Sequence, residues 1–311
     1  MNQTAKIIPF NDAEEVTQFE YMGFRDLRAV RAAYRYCRAI AKSHYENFPV
    51  ASLIIPGRLR QALDAVYAFA RIADDFADER EYEGDRLKKL DEWSRYLVDR
   101  SLPTHPVFMA LKDTLSRHNI TDQPFKDLIT AFKMDVQKKR YADFDEVLHY
   151  CRFSANPVGR IVLGLFGQDQ GAYLAWSDAV CTALQLTNFW QDLAIDLKKN
   201  RVYLPLNEFQ IFDVDLDDVF RHRCDEKFKM MMAFQIERTG EFFKKGKPLG
   251  AALKGRLGVE IRLTWLSGMT VLKKIAAAEG DVFNKRPQLT KRDFAKLFFV
   301  ALSRRRYERF K

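Results

Sequence analysis

Apolar residues recur three and four positions apart through almost the whole chain, and strict apolar–polar alternation is nearly absent. That spacing lines one face of a helix and gives a strand nothing to bury. Only 14 Gly and 10 Pro interrupt 311 residues. The spacing predicts helices over roughly 25–43, 57–80, 85–99, 105–118, 124–138, 143–153, 157–167, 171–198, 216–247, 250–278 and 290–306. Pro49, Pro56 and Gly57 punctuate the entry to the second helix, and Asn200 with Pro205 closes the eighth. No linker-like segment divides the series. The expectation is an all-α, single-domain bundle over residues 1–311, with 1–24 irregular and a basic tail at 304–311.

A 47% hydrophobic content suffices for a large core, and 30% charged with 13% aromatic residues excludes disorder and fibrous repeats. Cys37, Cys151, Cys181 and Cys224 stand far apart without CxxC or Cys/His ligand spacing, so neither a disulfide framework nor a zinc site is expected. A reducing cytoplasm is the simplest setting, with no signal peptide and no spanning helix expected. Of the net charge of +9, most is local: the last 21 residues hold eight Lys/Arg against Asp293 and Glu308. Two readings of that charge stay open, a solvated helix end and peripheral contact with anionic lipid at the inner face of the membrane. Nucleic acid is disfavoured, because no aromatic-interleaved basic stripe or reading motif accompanies the charge. No Gly-rich dinucleotide fingerprint occurs, so no nicotinamide cofactor is expected.

Two segments carry chemistry. In Tyr67-Ala-Phe-Ala-Arg71-Ile-Ala-Asp74-Asp75-Phe-Ala-Asp78, positions 67, 71, 74 and 78 share one helix face, so Asp74 and Asp78 point the same way. In Gln185-Leu-Thr-Asn188-Phe-Trp-Gln191-Asp192-Leu-Ala-Ile-Asp196, positions 185, 188, 192 and 196 do likewise. Leu184, Leu186, Phe189, Trp190, Leu193 and Ile195 turn elsewhere into packing. Like charges one turn apart repel by roughly 0.2–0.5 kcal/mol, so both faces favour a bound cation. Magnesium, or manganese in its place, takes oxygen ligands and bridges carboxylates to substrate phosphates. Arg71, Lys198, Lys199 and Arg201 add positive charge for a departing diphosphate. The competing readings are a solvated Asp pair on each helix and a plain intrahelical salt bridge at Arg71.

These residues resemble the squalene/phytoene synthase family from about residue 30 to 290: the first segment is similar to its first aspartate motif, and Gln185 to Asp196 with Arg201-Val-Tyr203-Leu-Pro to its second. The resemblance implies an isoprenoid-synthase helical bundle around a central apolar cavity, magnesium, and prenyl diphosphate substrates joined through a cyclopropyl intermediate. It implies that Asp74, Asp78, Asn188, Asp192 and Asp196 hold the metal and that His44, Tyr67 and Arg71 contact diphosphate. Tyr150 and Gln185 then lie near the reacting carbons, with Lys198, Arg201 and Tyr203 flanking the second motif on the diphosphate side. His44 also reads as a capping or core histidine, and Tyr150 as a packing residue.

Four departures point within the family. His44-Tyr45-Glu46-Asn47-Phe48-Pro49 replaces a serine-rich stretch, Gln191 stands where an arginine is expected before Asp192, the mid-chain run is Tyr150 to Gly159 with Ser154 and Asn156, and Gly268 near Trp265 replaces a tyrosine. They resemble the bacterial hydroxysqualene synthase branch, in which presqualene diphosphate ionises and water captures the cation. Ser154 or Asn156 then positions the water, or else serves a helix end. Phe48, Phe189 and Trp265 read equally as cation-stabilising and as core rings. The runner-up activity is condensation of two farnesyl or geranylgeranyl diphosphates, the non-enzyme alternative is a helical lipid-binding scaffold, and partner proteins would be other enzymes of the squalene pathway.

Overall fold

The computed structural model describes residues 27–43, 57–99, 105–284 and 286–310, and every regular element among them is a helix. The chain forms two compact units. The first, Met1–Val136 with Gly164–Gly167, carries α1 (Leu27–Ser43), α2 (Gly57–Asp78), a 3₁₀ turn at Arg80–Tyr82, α3 (Arg86–Val98), α4 (Pro106–His118) and most of α5 (Gln123–Gln137).

In this unit α2 is the central element. Its Ala, Leu and Arg content favours helix, and Ala62, Ala65, Ala68, Phe69, Ile72, Ala73 and Ala77 are buried at three- and four-residue spacing. Small side chains let α1 and α4 approach closely. Phe69 is fully buried among Trp93 of α3, Phe108 of α4 and Phe125 of α5, with centroid distances of 6.0, 5.8 and 5.2 Å. Trp93 Nε1 donates to the Phe69 carbonyl at 3.3 Å. Burying such a ring contributes roughly 1.5–3 kcal/mol, and here it fixes α2 one turn before Asp74.

The second unit, Gln137–Leu163 with Gln168–Lys311, holds α6 (Phe144–Ser154), most of α7 (Asn156–Leu165), α8 (Ala172–Gln191), α9 (Leu193–Lys198), α10 (Leu206–Ile211), α11 (Leu216–Phe220), α12 (Glu226–Ala252), α13 (Gly255–Ala277), α14 (Lys291–Ala301) and α15 (Arg304–Arg309). Helices α8 and α12 pack directly on each other. A Cβ on Gly246 would stand 2.9 Å from the Val180 amide nitrogen, so only glycine permits this approach. Trp190 Nε1 donates to Thr239 Oγ1 at 2.9 Å, and Thr239 passes its own proton to the Gln235 carbonyl at 2.7 Å. That relay satisfies both buried polar groups at the α8–α12 contact.

Several expectations are corrected. The single helix expected over 171–198 is broken at Asp192, which adopts φ −101° and ψ 9°. The one expected over 216–247 is two, because His222 takes a positive φ of 59° and Asp225 caps a new start by accepting from the Phe228 amide. The segment 290–306 splits where Ser303 caps α15. Helix α10 is an addition to the expected series. Residues 304–310 are held to the rest of the unit, since Tyr307 is fully buried and Lys247 Nζ donates to the Glu308 and Phe310 carbonyls. Ile195 is exposed rather than packed, and Gly268 fits where a Cβ would lie 2.4 Å from Leu184 Cδ2.

Candidate active site

Asp74, Asp75, Asp78 and Glu79 crowd the C-terminal end of α2, whose last turn contains no basic residue. The helix dipole places partial negative charge at the same end, so an acidic cluster there costs about 0.3–1 kcal/mol per carboxylate unless a cation compensates. Part of the compensation is internal. Arg71 Nη2 lies 2.5 Å from Asp75 Oδ1 and its Nη1 3.4 Å from Asp74 Oδ2, while Arg86 Nη2 donates to the Asp78 carbonyl at 3.3 Å. Asp75 is buried, and burial pushes its carboxyl up to about 6, with Arg71 opposing and Asp74 and Glu79 reinforcing. Burial also raises the Tyr67 hydroxyl, opposed by Arg71 and reinforced by Asp74 and Asp75. Tyr67, Arg71 and Asp74 thus form one electrostatic group, as the spacing predicted, and the intrahelical bridge at Arg71 is present as well. Asp74 and Asp78 keep partial exposure.

In the second unit Gln185, Asn188, Asp192 and Asp196 run along one face of α8 and α9. The backbone carries the alignment through the break: the Asp192 amide donates to the Asn188 carbonyl at 2.8 Å and the Asp196 amide to the Asp192 carbonyl at 2.9 Å. Asp192 occupies the bridge region of backbone space, where active-site residues are often found. Helix α9 then ends in a Schellman motif, with Asn200 left-handed at φ 55°, its amide donating to the Leu197 carbonyl and the Arg201 amide to that of Asp196, both at 2.9 Å. Lys198 is exposed beside this turn and Arg201 half-buried.

Beyond the turn, the Val202 amide donates to the Lys139 carbonyl at 3.0 Å and the Leu206 amide to that of Tyr141 at 2.9 Å, which pins Tyr203 inward. Tyr203 stacks on Phe189 with centroids 3.7 Å apart, and Tyr150 of α6 meets both rings at 5.7 and 5.8 Å. Tyr150, Phe189 and Tyr203 therefore form one aromatic wall against the Asn188–Asp192 turn of α8. One turn beyond Tyr150 on α6, Ser154 Oγ is buried with no hydrogen-bond partner. Asn156 Oδ1 accepts from Thr182 Oγ1 at 3.0 Å, tying the start of α7 to α8. Trp265 is a core ring, its Nε1 donating to the Phe243 carbonyl at 2.8 Å. His44 and Phe48 lie outside the described residues.

One residue of this site was not legible in the sequence. Arg286 holds Asp192 in a two-pronged ion pair, Nε with Oδ1 and Nη2 with Oδ2, the latter at 3.3 Å. Beside it, Gln191 Nε2 donates to the Pro287 carbonyl. The separation of 94 residues from Asp192 leaves no local pattern that could have announced the pair.

Asn188, Asp192 and Asp196 offer hard oxygen donors on successive turns, and a cationic group is already seated on Asp192. That donor set fits magnesium or manganese, which settle for one or two carboxylates when substrate phosphates complete the shell. Among the described residues no three His, Cys, Asp or Glu side chains enclose an ion unaided.

Known proteins share this arrangement of chain. Residues 41–293 match the family profile described as squalene/phytoene synthase. A hydroxysqualene synthase of Rhodopseudomonas palustris is 36% identical over 261 residues, 83% of this chain and 88% of that protein. A phytoene synthase of Arthrospira platensis is 31% identical over 269 residues, 82% of this chain and 87% of the relative. Among solved structures, squalene synthase HpnC from Alicyclobacillus acidocaldarius superposes with a TM-score of 0.77 at 36% identity, covering 80% of this chain and 95% of its own.

Proposed function

The chain belongs to the squalene/phytoene synthase family, and from that premise we propose that it converts presqualene diphosphate and water to hydroxysqualene and diphosphate in a magnesium-dependent reaction. It is an enzyme of prenyl diphosphates, and its isoprenoid chemistry follows from the family. A bound divalent ion would supply the positive charge that neutralises the leaving diphosphate. Asn188, Asp192 and Asp196 would hold such an ion on α8 and α9, and Asp74 and Asp78 are metal-ligating candidates in their own right on α2. Tyr67 and Arg71 on α2, and Lys198 and Arg201 around the end of α9, are the candidate diphosphate contacts, and the family resemblance adds His44. Gln185, Tyr150, Phe189 and Tyr203 would line the hydrocarbon side of the site.

The observation that carries the water-capturing branch is the buried Ser154 hydroxyl, partnerless one turn from Tyr150. A buried hydroxyl without a partner costs about 1–3 kcal/mol, which a water held there would recover. Asn156 stands two residues on, its carbonyl oxygen committed to Thr182 and its amide hydrogens directed away from that bond. Substituting Ser154→Ala or Asn156→Leu should therefore shift product from alcohol toward hydrocarbons by elimination or rearrangement, with diphosphate release slowed less than alcohol formation. Product ratios by mass spectrometry beside a diphosphate-release assay check this, and an unchanged alcohol fraction in both variants would remove the water-positioning role.

A membrane contact has its own support. On α14 and the following turn, Arg292, Lys296, Phe299 and Leu302 share one face, with Phe299 61% and Leu302 52% exposed and Arg305 and Arg306 exposed just beyond. Two bare apolar side chains ringed by cations suit an anionic bilayer surface, each basic group adding about 1 kcal/mol. Among the described residues no helix is long and apolar enough to cross a membrane. Because the tail is anchored through Tyr307, substitution tests the contact better than truncation. Phe299→Ser with Leu302→Ser should weaken sedimentation with phosphatidylserine vesicles about tenfold while leaving turnover of detergent-dispersed substrate unchanged. Equal sedimentation would remove this face from the membrane.

A further inference from the structure

We propose that Arg286 is a positioning residue for the second carboxylate face: it holds Asp192 in the metal-free protein and yields that carboxylate to an arriving divalent cation, releasing Pro287 from Gln191. The inference rests on the reading of Asn188, Asp192 and Asp196 as a cation site.

The geometry sets the two cations in competition for one carboxylate. Arg286 engages both oxygens of Asp192, Nη2 meeting Oδ2 at 3.3 Å and Nε meeting Oδ1. A two-pronged fork takes one lone pair of each oxygen, so a metal arriving from that side must displace the guanidinium.

Exposure sets which partner depends on the other. The Asp192 side chain is 17% exposed and that of Arg286 43%. The half-buried carboxylate needs a counter-ion, whereas the arginine head can return to water at little cost. The exchange is therefore open to a modest metal affinity.

The surrounding chain confines the movement. Downstream, Lys274 Nζ donates to the Gln288 carbonyl at 3.0 Å and to Asp293 Oδ2 at 2.6 Å, and Thr290 with Asp293 closes a capping box on α14. Upstream, Asp281 accepts from Asn284 Nδ2 at 2.8 Å. Between these fixed points, the hydrogen-bonded links to α8 among the described residues are the Arg286–Asp192 pair and the Gln191–Pro287 bond. The chain neighbour of Asp192 is the amide Gln191, and the guanidinium beside Asp192 comes from 94 residues away.

The test uses the full-length, EDTA-stripped protein and Mn²⁺ alone, with binding followed by electron paramagnetic resonance and amide exchange followed at Gln288 and Leu289. Arg286→Gln should bind Mn²⁺ about fivefold more tightly than wild type, and Arg286→Lys should restore most of the difference. Mn²⁺ should accelerate exchange at the two amides in the wild type, whereas in Arg286→Gln exchange should already be fast and indifferent to metal. Asp192→Asn should speed the same amides without any metal. Equal Mn²⁺ affinity in wild type and Arg286→Gln, with exchange unmoved by metal, would overturn the proposal and leave the cation site standing. Absence of saturable Mn²⁺ binding in both would overturn the cation site and the proposal together.

Discussion

Asp192→Asn is expected to lower turnover of the diphosphate substrate by roughly 10²–10³-fold with the helical content unchanged. The substitution preserves shape and removes one negative charge from the face proposed to hold positive charge against a leaving diphosphate. A hard divalent ion binds an amide oxygen far more weakly than a carboxylate. The structural cost is small, because Asp192 already sits in a break between α8 and α9 and its backbone bonds to Asn188 and Asp196 do not involve the side chain. Asp196→Asn, Asp74→Asn and Asp78→Asn belong to the same expectation. Turnover at saturating magnesium beside circular dichroism checks it, and a wild-type rate in any of the four would remove that residue from the metal set.

The second large effect concerns stability of the unit that carries α2. His105 caps α4, its Nδ1 accepting from the Val107 amide at 3.2 Å, and packs 4.9 Å from the Trp93 ring. Burial pushes its pKa down to about 4. The folded state thus keeps the imidazole neutral where the unfolded chain, near 6.5, takes up a proton. Between those values the unfolded state binds more protons, so stability falls as pH falls from about 6.5 and levels off below about 4. At 1.36 kcal/mol per unit, the loss approaches about 3 kcal/mol, of which about 2 kcal/mol is gone by pH 5. His105→Asn keeps a capping side chain and deletes the titration. Urea unfolding at pH 7, 6 and 5 should show the wild type's advantage over the variant shrinking by about 2 kcal/mol. A constant advantage across that range would contradict the assignment.

What the sequence revealed followed from period. Ala65, Phe69, Ile72 and Ala73 announce the buried face of α2, and the same register forces Tyr67, Arg71 and Asp74 together. Gln185, Asn188, Asp192 and Asp196 were legible for that reason, since helical spacing survives a one-residue break when the backbone bonds bridge it. The breaks themselves were hidden. Asp225 and Ser303 lie in stretches whose apolar spacing runs on past them, so their role as caps emerges only where the chain turns. The aromatic wall needed the pairing of residues 139–142 with 202–207, and the Arg286 pair needed the return of the chain after α13. Contacts between distant segments leave no period to read. Asp75 was visible in the motif, yet its burial against Arg71 depends on helices packed around α2.

The central claim is tested most directly by supplying the purified protein with presqualene diphosphate and magnesium, without nicotinamide cofactor, in oxygen-18 water, and identifying the extracted product by mass spectrometry. Hydroxysqualene carrying the heavy oxygen should form together with diphosphate, and EDTA should abolish both. Untouched presqualene diphosphate alongside coupling of two farnesyl diphosphates, or an alcohol without the label, would contradict the claim.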